Sequence, residues 1–124
     1  MKGNKIFYFD TWHFDSQKYV LTSNGKDEYI GHQCAKLLTL LVNEWPSVVS
    51  RQQIIQEIWV GDSVKDVTIN SAISRLRAHL PNNKLPIVKT VPKKGYQFCL
   101  KPQNKVTYTL KNTSLKVLRK LQPK

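Results

Sequence analysis

Apolar positions follow two different periods along this chain. Through the first thirty residues they fall in short aromatic-rich clusters: Ile6-Phe7-Tyr8-Phe9, Trp12-His13-Phe14 and, after the polar break Ser16-Gln17-Lys18, Tyr19-Val20-Leu21. Asn24-Gly25, ahead of Glu28-Tyr29-Ile30, is a strong hairpin signal, because both residues tolerate the positive φ of a tight two-residue turn. A small antiparallel sheet is therefore expected to open the domain. From Cys34 the period lengthens to about 3.6, with Leu37, Leu38, Leu41, Val42 and Trp45 on one stripe. Pro46 ends this first helix, since the residue before a proline is pushed out of helical geometry.

Ser50 followed by Gln53 is a capping-box pattern, and Ile54, Ile55, Ile58 and Trp59 then form the apolar face of a second helix up to Gly61. A polar loop, 61–66, leads to a third helix over about 67–80. Its buried stripe is Ile69, Ile73, Leu76 and Leu80, and Pro81-Asn82-Asn83 terminates it. The opposite face offers Asn70, Ser71, Ser74, Arg75 and Ala78, with Arg77 on its flank. Ile87 to Val91 and Tyr96 to Leu100 read as two strands joined by Pro92-Lys93-Lys94-Gly95, a hairpin with two lysines at its tip. The expected class is α+β: an N-terminal antiparallel sheet, a three-helix core and a C-terminal hairpin. These elements define a domain over 1–100. Residues 101–124 form a basic tail, within which Val106, Tyr108 and Leu110 have strand spacing and Leu115, Leu118 and Leu121 have helical spacing.

Charge sharpens this picture. The 124-residue chain carries a net charge of +12. Residues 1–65 balance seven Lys/Arg against seven Asp/Glu, whereas 66–124 hold thirteen basic residues and one acid, Asp66. So lopsided a field attracts a polyanion or an anionic surface. It coincides with the third helix and the hairpin. A helix fits the major groove, where Arg pairs with guanine and Asn with adenine. A basic hairpin beside it can reach phosphates or the minor groove. The candidate contacts are Asn70, Ser71, Ser74, Arg75 and Arg77 on the helix and Lys89, Thr90, Lys93 and Lys94 on the hairpin. Ser50 and Arg51, at a helix start whose free amides favour anions, complete the set, although Ser50 serves equally as a simple cap.

Three blocks in order resemble the OmpR/PhoB-type winged helix-turn-helix: Val49-Ser50-Arg51-Gln52-Gln53-Ile54-Ile55-Gln56-Glu57-Ile58-Trp59, Ile73-Ser74-Arg75-Leu76-Arg77-Ala78-His79-Leu80, and Val88-Lys89-Thr90-Val91-Pro92-Lys93-Lys94-Gly95-Tyr96-Gln97-Phe98. The resemblance covers roughly residues 6–100. It implies a four-stranded N-terminal sheet, three helices and a wing. It also implies sequence-specific binding of double-stranded DNA, transcription regulation (activation in particular), and contact with RNA polymerase through the loop 61–66. The first predicted strand begins at Ile6, leaving no room in this sequence for the receiver domain that precedes it in response regulators. The turn Thr90-Val91-Pro92-Lys93-Lys94-Gly95-Tyr96 is similar to the ToxR/CadC branch of membrane-anchored regulators. That likeness implies a cytoplasmic domain whose basic tail approaches a membrane tether beyond residue 124.

Some positions depart from the family. Gly31 and Cys34 stand where a capping box usually opens the first helix, and Val67, Ala72 and Ser74 occupy places where relatives often carry Arg or His. With fewer charged contacts on one helix, recognition is expected to draw on DNA shape and on self-association over tandem sites.

Other chemistries find less support. Asp10 and Asp15 lack a paired carboxylate, and the serines lack a His/Asp partnership, so no enzyme is expected. His32, Cys34, His79 and Cys99 lack the repeated close spacing of a zinc site, and the five glycines are isolated, so neither metal nor cofactor is expected. Cys34 and Cys99, in apolar surroundings, read as two buried free thiols, a disulfide being the lesser reading. No apolar run approaches the roughly 20 residues that span a bilayer, and no signal peptide is seen at the start. The competing function is a winged-helix module for protein or membrane-surface contact, without sequence-specific DNA binding.

Overall fold

The computed structural model describes residues 5–59 and 64–103. Four strands open the chain, β1 (Ile6–Tyr8), β2 (Trp12–Asp15), β3 (Val20–Ser23) and β4 (Lys26–Tyr29), paired antiparallel in the order β1-β2-β3-β4. The β3–β4 hairpin turns at Asn24 and Gly25, with φ of 55° and 75°. Those angles are what a two-residue turn matched to strand twist requires, and few other residue pairs supply them. Phe7, Trp12, Phe14 and Leu21 point inward from this sheet.

Helix α1 (His32–Asn43) buries Cys34, Ala35, Leu37, Leu38, Leu41 and Val42. Its N-cap is Gly31 and makes no side-chain cap, in line with the missing capping box. Helix α2 (Arg51–Ile58) is capped as expected, Ser50 Oγ accepting from the Gln53 amide at 3.0 Å. Only Ile54 is fully buried on it, while Ile55, Ile58 and Trp59 pack half-buried against the core. Helix α3 (Asp66–His79) packs against α1 and is followed by β6 (Val88–Val91) and β7 (Gly95–Phe98), the wing.

Between α1 and α2 the structure adds a strand that periodicity did not predict, β5 (Val48–Val49). It pairs with β7, making a three-stranded sheet in the order β5-β7-β6. Two residues are too few to show alternation. The wing is thus anchored between α1 and α2 rather than standing alone. Phe98, fully buried on β7, has its ring centroid 5.4 Å from that of Phe9, and Phe9 stacks on Trp12 at 4.3 Å. The aromatic clusters of the first strands therefore pack directly against the wing.

Four expectations need correction. Helix α3 begins at Asp66, which belongs to its first turn and not to the preceding loop; an acid there suits the positive end of the helix dipole. The buried stripe of α3 adds Ala72 to Ile69, Ile73 and Leu76, while Leu80, the C-cap held extended (ψ 147°) by the proline that follows, packs half-buried against the core. Ala72, 2% exposed, faces the core, so in this chain that position is unavailable for an external contact. Cys99 is exposed, not buried: with Phe98 directed into the core, its neighbour falls on the other side of the strand direction. Residues 61–63 of the 61–66 loop, Gly61 included, and the spacings at Val106 to Leu110 and Leu115 to Leu121, lie outside the described residues. The described chain ends by returning to the first sheet, where the Gln103 amide donates to the Tyr8 carbonyl at 2.8 Å.

Candidate nucleic-acid interface

Burying Ile69, Ala72, Ile73 and Leu76 leaves Val67, Asn70, Ser71, Ser74, Arg75 and Ala78 on the exposed side of α3, as helical geometry demands. Arg75 is held by Gln33 of α1, whose Oε1 accepts from its Nη2 at 3.0 Å. The hydroxyls of Ser71 and Ser74 are exposed beside it. Among the described residues α3 itself carries one carboxylate, Asp66 in its first turn, and Glu28 of β4 pairs with His79 in its last turn.

The wing turn is shaped by its backbone. Lys93 adopts φ 66°, and the Lys94 amide closes the turn on the Val91 carbonyl at 2.9 Å. Gly95 then has φ 143°, and a Cβ there would run into the Val49 carbonyl oxygen and lie 2.9 Å from Ser50 Cα. Only glycine lets β7 pass this close to β5. The side chains of Lys89, Lys93 and Lys94 are exposed. Ser50, Arg51, Thr90, Lys93, Lys94 and Tyr96 line a cleft of about 290 Å³ between the start of α2 and the wing turn. Five residues expected at the site thus surround one opening.

Besides Arg75, the other two expected arginines are also engaged within the molecule. Arg77 donates to the Val88 carbonyl from Nη2 at 2.9 Å and Nε at 3.2 Å, and to Thr90 Oγ1 at 2.9 Å. Arg51 donates to Asp66 Oδ1 at 3.3 Å, to the Asp66 carbonyl at 3.0 Å, to the Tyr96 hydroxyl at 2.7 Å and to Asn70 Oδ1 at 3.2 Å. Both guanidinium carbons lie about 6 Å from the Tyr96 ring centroid, at 5.8 Å and 6.0 Å. The two side chains tie α3 to the wing and to α2. Their positive charge still contributes to the field of the face.

These contacts bring forward residues that the sequence reading left out. Tyr96 was visible only as a strand residue, yet it is 4% exposed at the junction of α2, α3 and β7. Gln33 gave no signal, because its partner lies 42 residues away. Val67, marked in the sequence only as a departure from the family, is 63% exposed in the first turn of α3 and adds an apolar side chain to the same face.

Residues 25–98 match the family described as "Transcriptional regulatory protein, C terminal". The chain belongs to this family. It is a winged helix-turn-helix domain of transcriptional regulators, which are not enzymes. Among its relatives is the cholera toxin transcriptional activator of Vibrio cholerae, 34% identical over 102 residues, covering 77% of this chain and 35% of that protein. The cholera toxin homolog transcriptional activator of Vibrio parahaemolyticus is 31% identical over the same coverage. The chain thus spans about a third of the length of these relatives. Among solved structures, the DNA-binding domain of E. coli CadC superposes with a TM-score of 0.70 at 20% identity, over 82% of this chain and 98% of that one. The Klebsiella pneumoniae RstA DNA-binding domain, in complex with the RstA box, superposes at 0.65 with 26% identity, over 76% of this chain and 96% of that one.

Among the described residues no cluster of three His, Cys, Asp or Glu side chains could hold a metal ion, and no helix is long and apolar enough to cross a membrane.

Proposed function

We propose that this chain binds double-stranded DNA sequence-specifically as the DNA-binding domain of a transcription regulator. The exposed face of α3 enters the major groove, and wing residues 92–95 lie on the adjacent minor groove or backbone. One observation carries the proposal: the acid-poor face bearing Ser71, Ser74 and Arg75 is fastened, through Arg51 and Arg77, to a wing whose lysines are exposed. A reader and a phosphate clamp are then one rigid surface. The RstA domain in complex with the RstA box, at 26% identity, supports the same mode of use.

Fluorescence anisotropy with duplexes selected from a random library tests it. Arg75→Ala costs about 1–3 kcal/mol on the selected sequence and relaxes preference at one position. Replacing Lys93 and Lys94 by Ala weakens binding to all sequences alike, and flattens log K against log salt by about one unit per lost phosphate contact. Binding indifferent to sequence, with Arg75→Ala silent, would instead establish a protein-contact or membrane-surface module.

The finer assignment is a ToxR-like activator, which the two Vibrio activators support. We read residues 1–100 as its DNA-binding domain and 101–124 as a linker to a membrane tether beyond residue 124. The 61–66 segment meets RNA polymerase, and two copies occupy tandem sites, since one helix reads only a few base pairs. A footprint on the natural promoter that spans one half-site would reject the tandem arrangement.

A further inference from the structure

Asn70 lies on the exposed face of α3, where an asparagine normally reads adenine by accepting from N6 and donating to N7. That reading needs a free amide oxygen. Here Oδ1 is 3.2 Å from Arg51 Nη2 and 3.3 Å from the Tyr96 hydroxyl. Arginine has no acceptor and stays protonated, so its Nη2 can only donate, which fixes the oxygen of Asn70 on the inner side. Arg51 Nη1 also donates to the Tyr96 hydroxyl, at 2.7 Å. The tyrosine oxygen is then the acceptor of that bond, and its own proton is directed to Asn70 Oδ1. An amide oxygen accepts in two directions, and both are taken.

Resting on the DNA-binding reading above, we infer that Arg51 and Tyr96 are positioning residues that make Asn70 a donor-only reader: its Nδ2 faces the groove and selects the acceptor edge of guanine over adenine. Tyr96 is 4% exposed and Arg51 is further fixed by the Asp66 carbonyl and carboxylate, so the arrangement exists before DNA arrives. The selectivity is therefore set from within the fold, by a tyrosine that itself never touches a base.

The test has two arms. In the first, duplexes are selected from a random library by wild type, Asn70→Ala and Tyr96→Phe. The position whose preference disappears in Asn70→Ala is guanine for wild type. Tyr96→Phe keeps the ring and frees one acceptor direction, so its guanine-to-adenine ratio at that position falls about fivefold, the worth of one hydrogen bond. Adenine at that position in wild type, or an unchanged ratio in Tyr96→Phe, overturns the inference. In the second arm, urea unfolding of the free protein closes the cycle Asn70→Ala, Tyr96→Phe and the double variant. The two sites are coupled by about fivefold in the unfolding constant, and additivity overturns the inference regardless of DNA. If wild type selects no sequence while the coupling is present, the DNA-binding reading fails and takes the reader role of Asn70 with it. If wild type selects adenine there, the inference fails while the DNA-binding reading stands.

Discussion

Arg77 and Val88 join the last turn of α3 to the wing: two donors of one guanidinium converge on one carbonyl oxygen, at 2.9 Å and 3.2 Å. A third bond to Thr90 Oγ1 at 2.9 Å extends the grip along β6. A charged donor pair on a backbone acceptor is stronger than a neutral bond, and its fork matches the site in a way that a lysine ammonium does not. Arg77→Ala is expected to cost about 1–2 kcal/mol in urea unfolding, and Arg77→Lys to recover less than half of that. In DNA titrations Arg77→Ala weakens all sequences together and leaves base preference intact, because the side chain sets the angle between helix and wing. A change confined to one base position would make Arg77 a reader instead.

Gly95 carries a second constraint on the wing. Its φ of 143° disfavours any side chain, and a Cβ would collide with the Val49 carbonyl and crowd Ser50 Cα, both backbone atoms that cannot swing aside. Gly95→Ala therefore forces β7 away from β5, at a cost of at least about 2 kcal/mol. Gly25 is the control: it also has positive φ, 75°, but a Cβ there meets nothing within 4 Å. Gly25→Ala bears only the left-handed penalty, about 1–2 kcal/mol. Equal losses in the two variants would show that the approach of β7 to β5 imposes nothing.

The contrast between α1 and Arg77 shows what the sequence could reveal. Cys34, Leu37, Leu38, Leu41 and Val42 are buried as their spacing predicts, with Ala35 added beside them, while Trp45 falls past the end of α1 and is only partly buried. The face opposite Ile69 and Ile73 is legible for the same reason: burial of one side determines the other. Spacing does not say what an exposed polar group bonds to. Arg51, Asn70, Arg75 and Arg77 find partners 15, 26, 42 and 11 residues away, across contacts that exist only once the elements have packed. The apolar neighbours of Cys99 misled for a related reason, since in a strand it is parity, not local hydrophobicity, that selects the buried side.

The two thiols separate on this basis. Cys34 is buried in α1 and Cys99 is exposed, so under native conditions a thiol reagent modifies Cys99 first and reaches Cys34 only on unfolding. Burial pushes the Cys34 thiol above its ordinary value of 9.0, while the nearby Arg75 charge pulls the other way. The unfolded chain therefore ionises this thiol at lower pH than the folded one. Its contribution to stability is complete below the ordinary value and is lost as pH rises through the folded value. In reductant, wild-type stability is expected to fall relative to Cys34→Ala, which lacks the titrating group, as pH rises past the ordinary value of 9.0 toward the raised folded value. Arg75→Ala removes the opposing charge, raises the folded value further and deepens that fall. Parallel stability curves for wild type and Cys34→Ala would show that the buried thiol does not govern stability in this range.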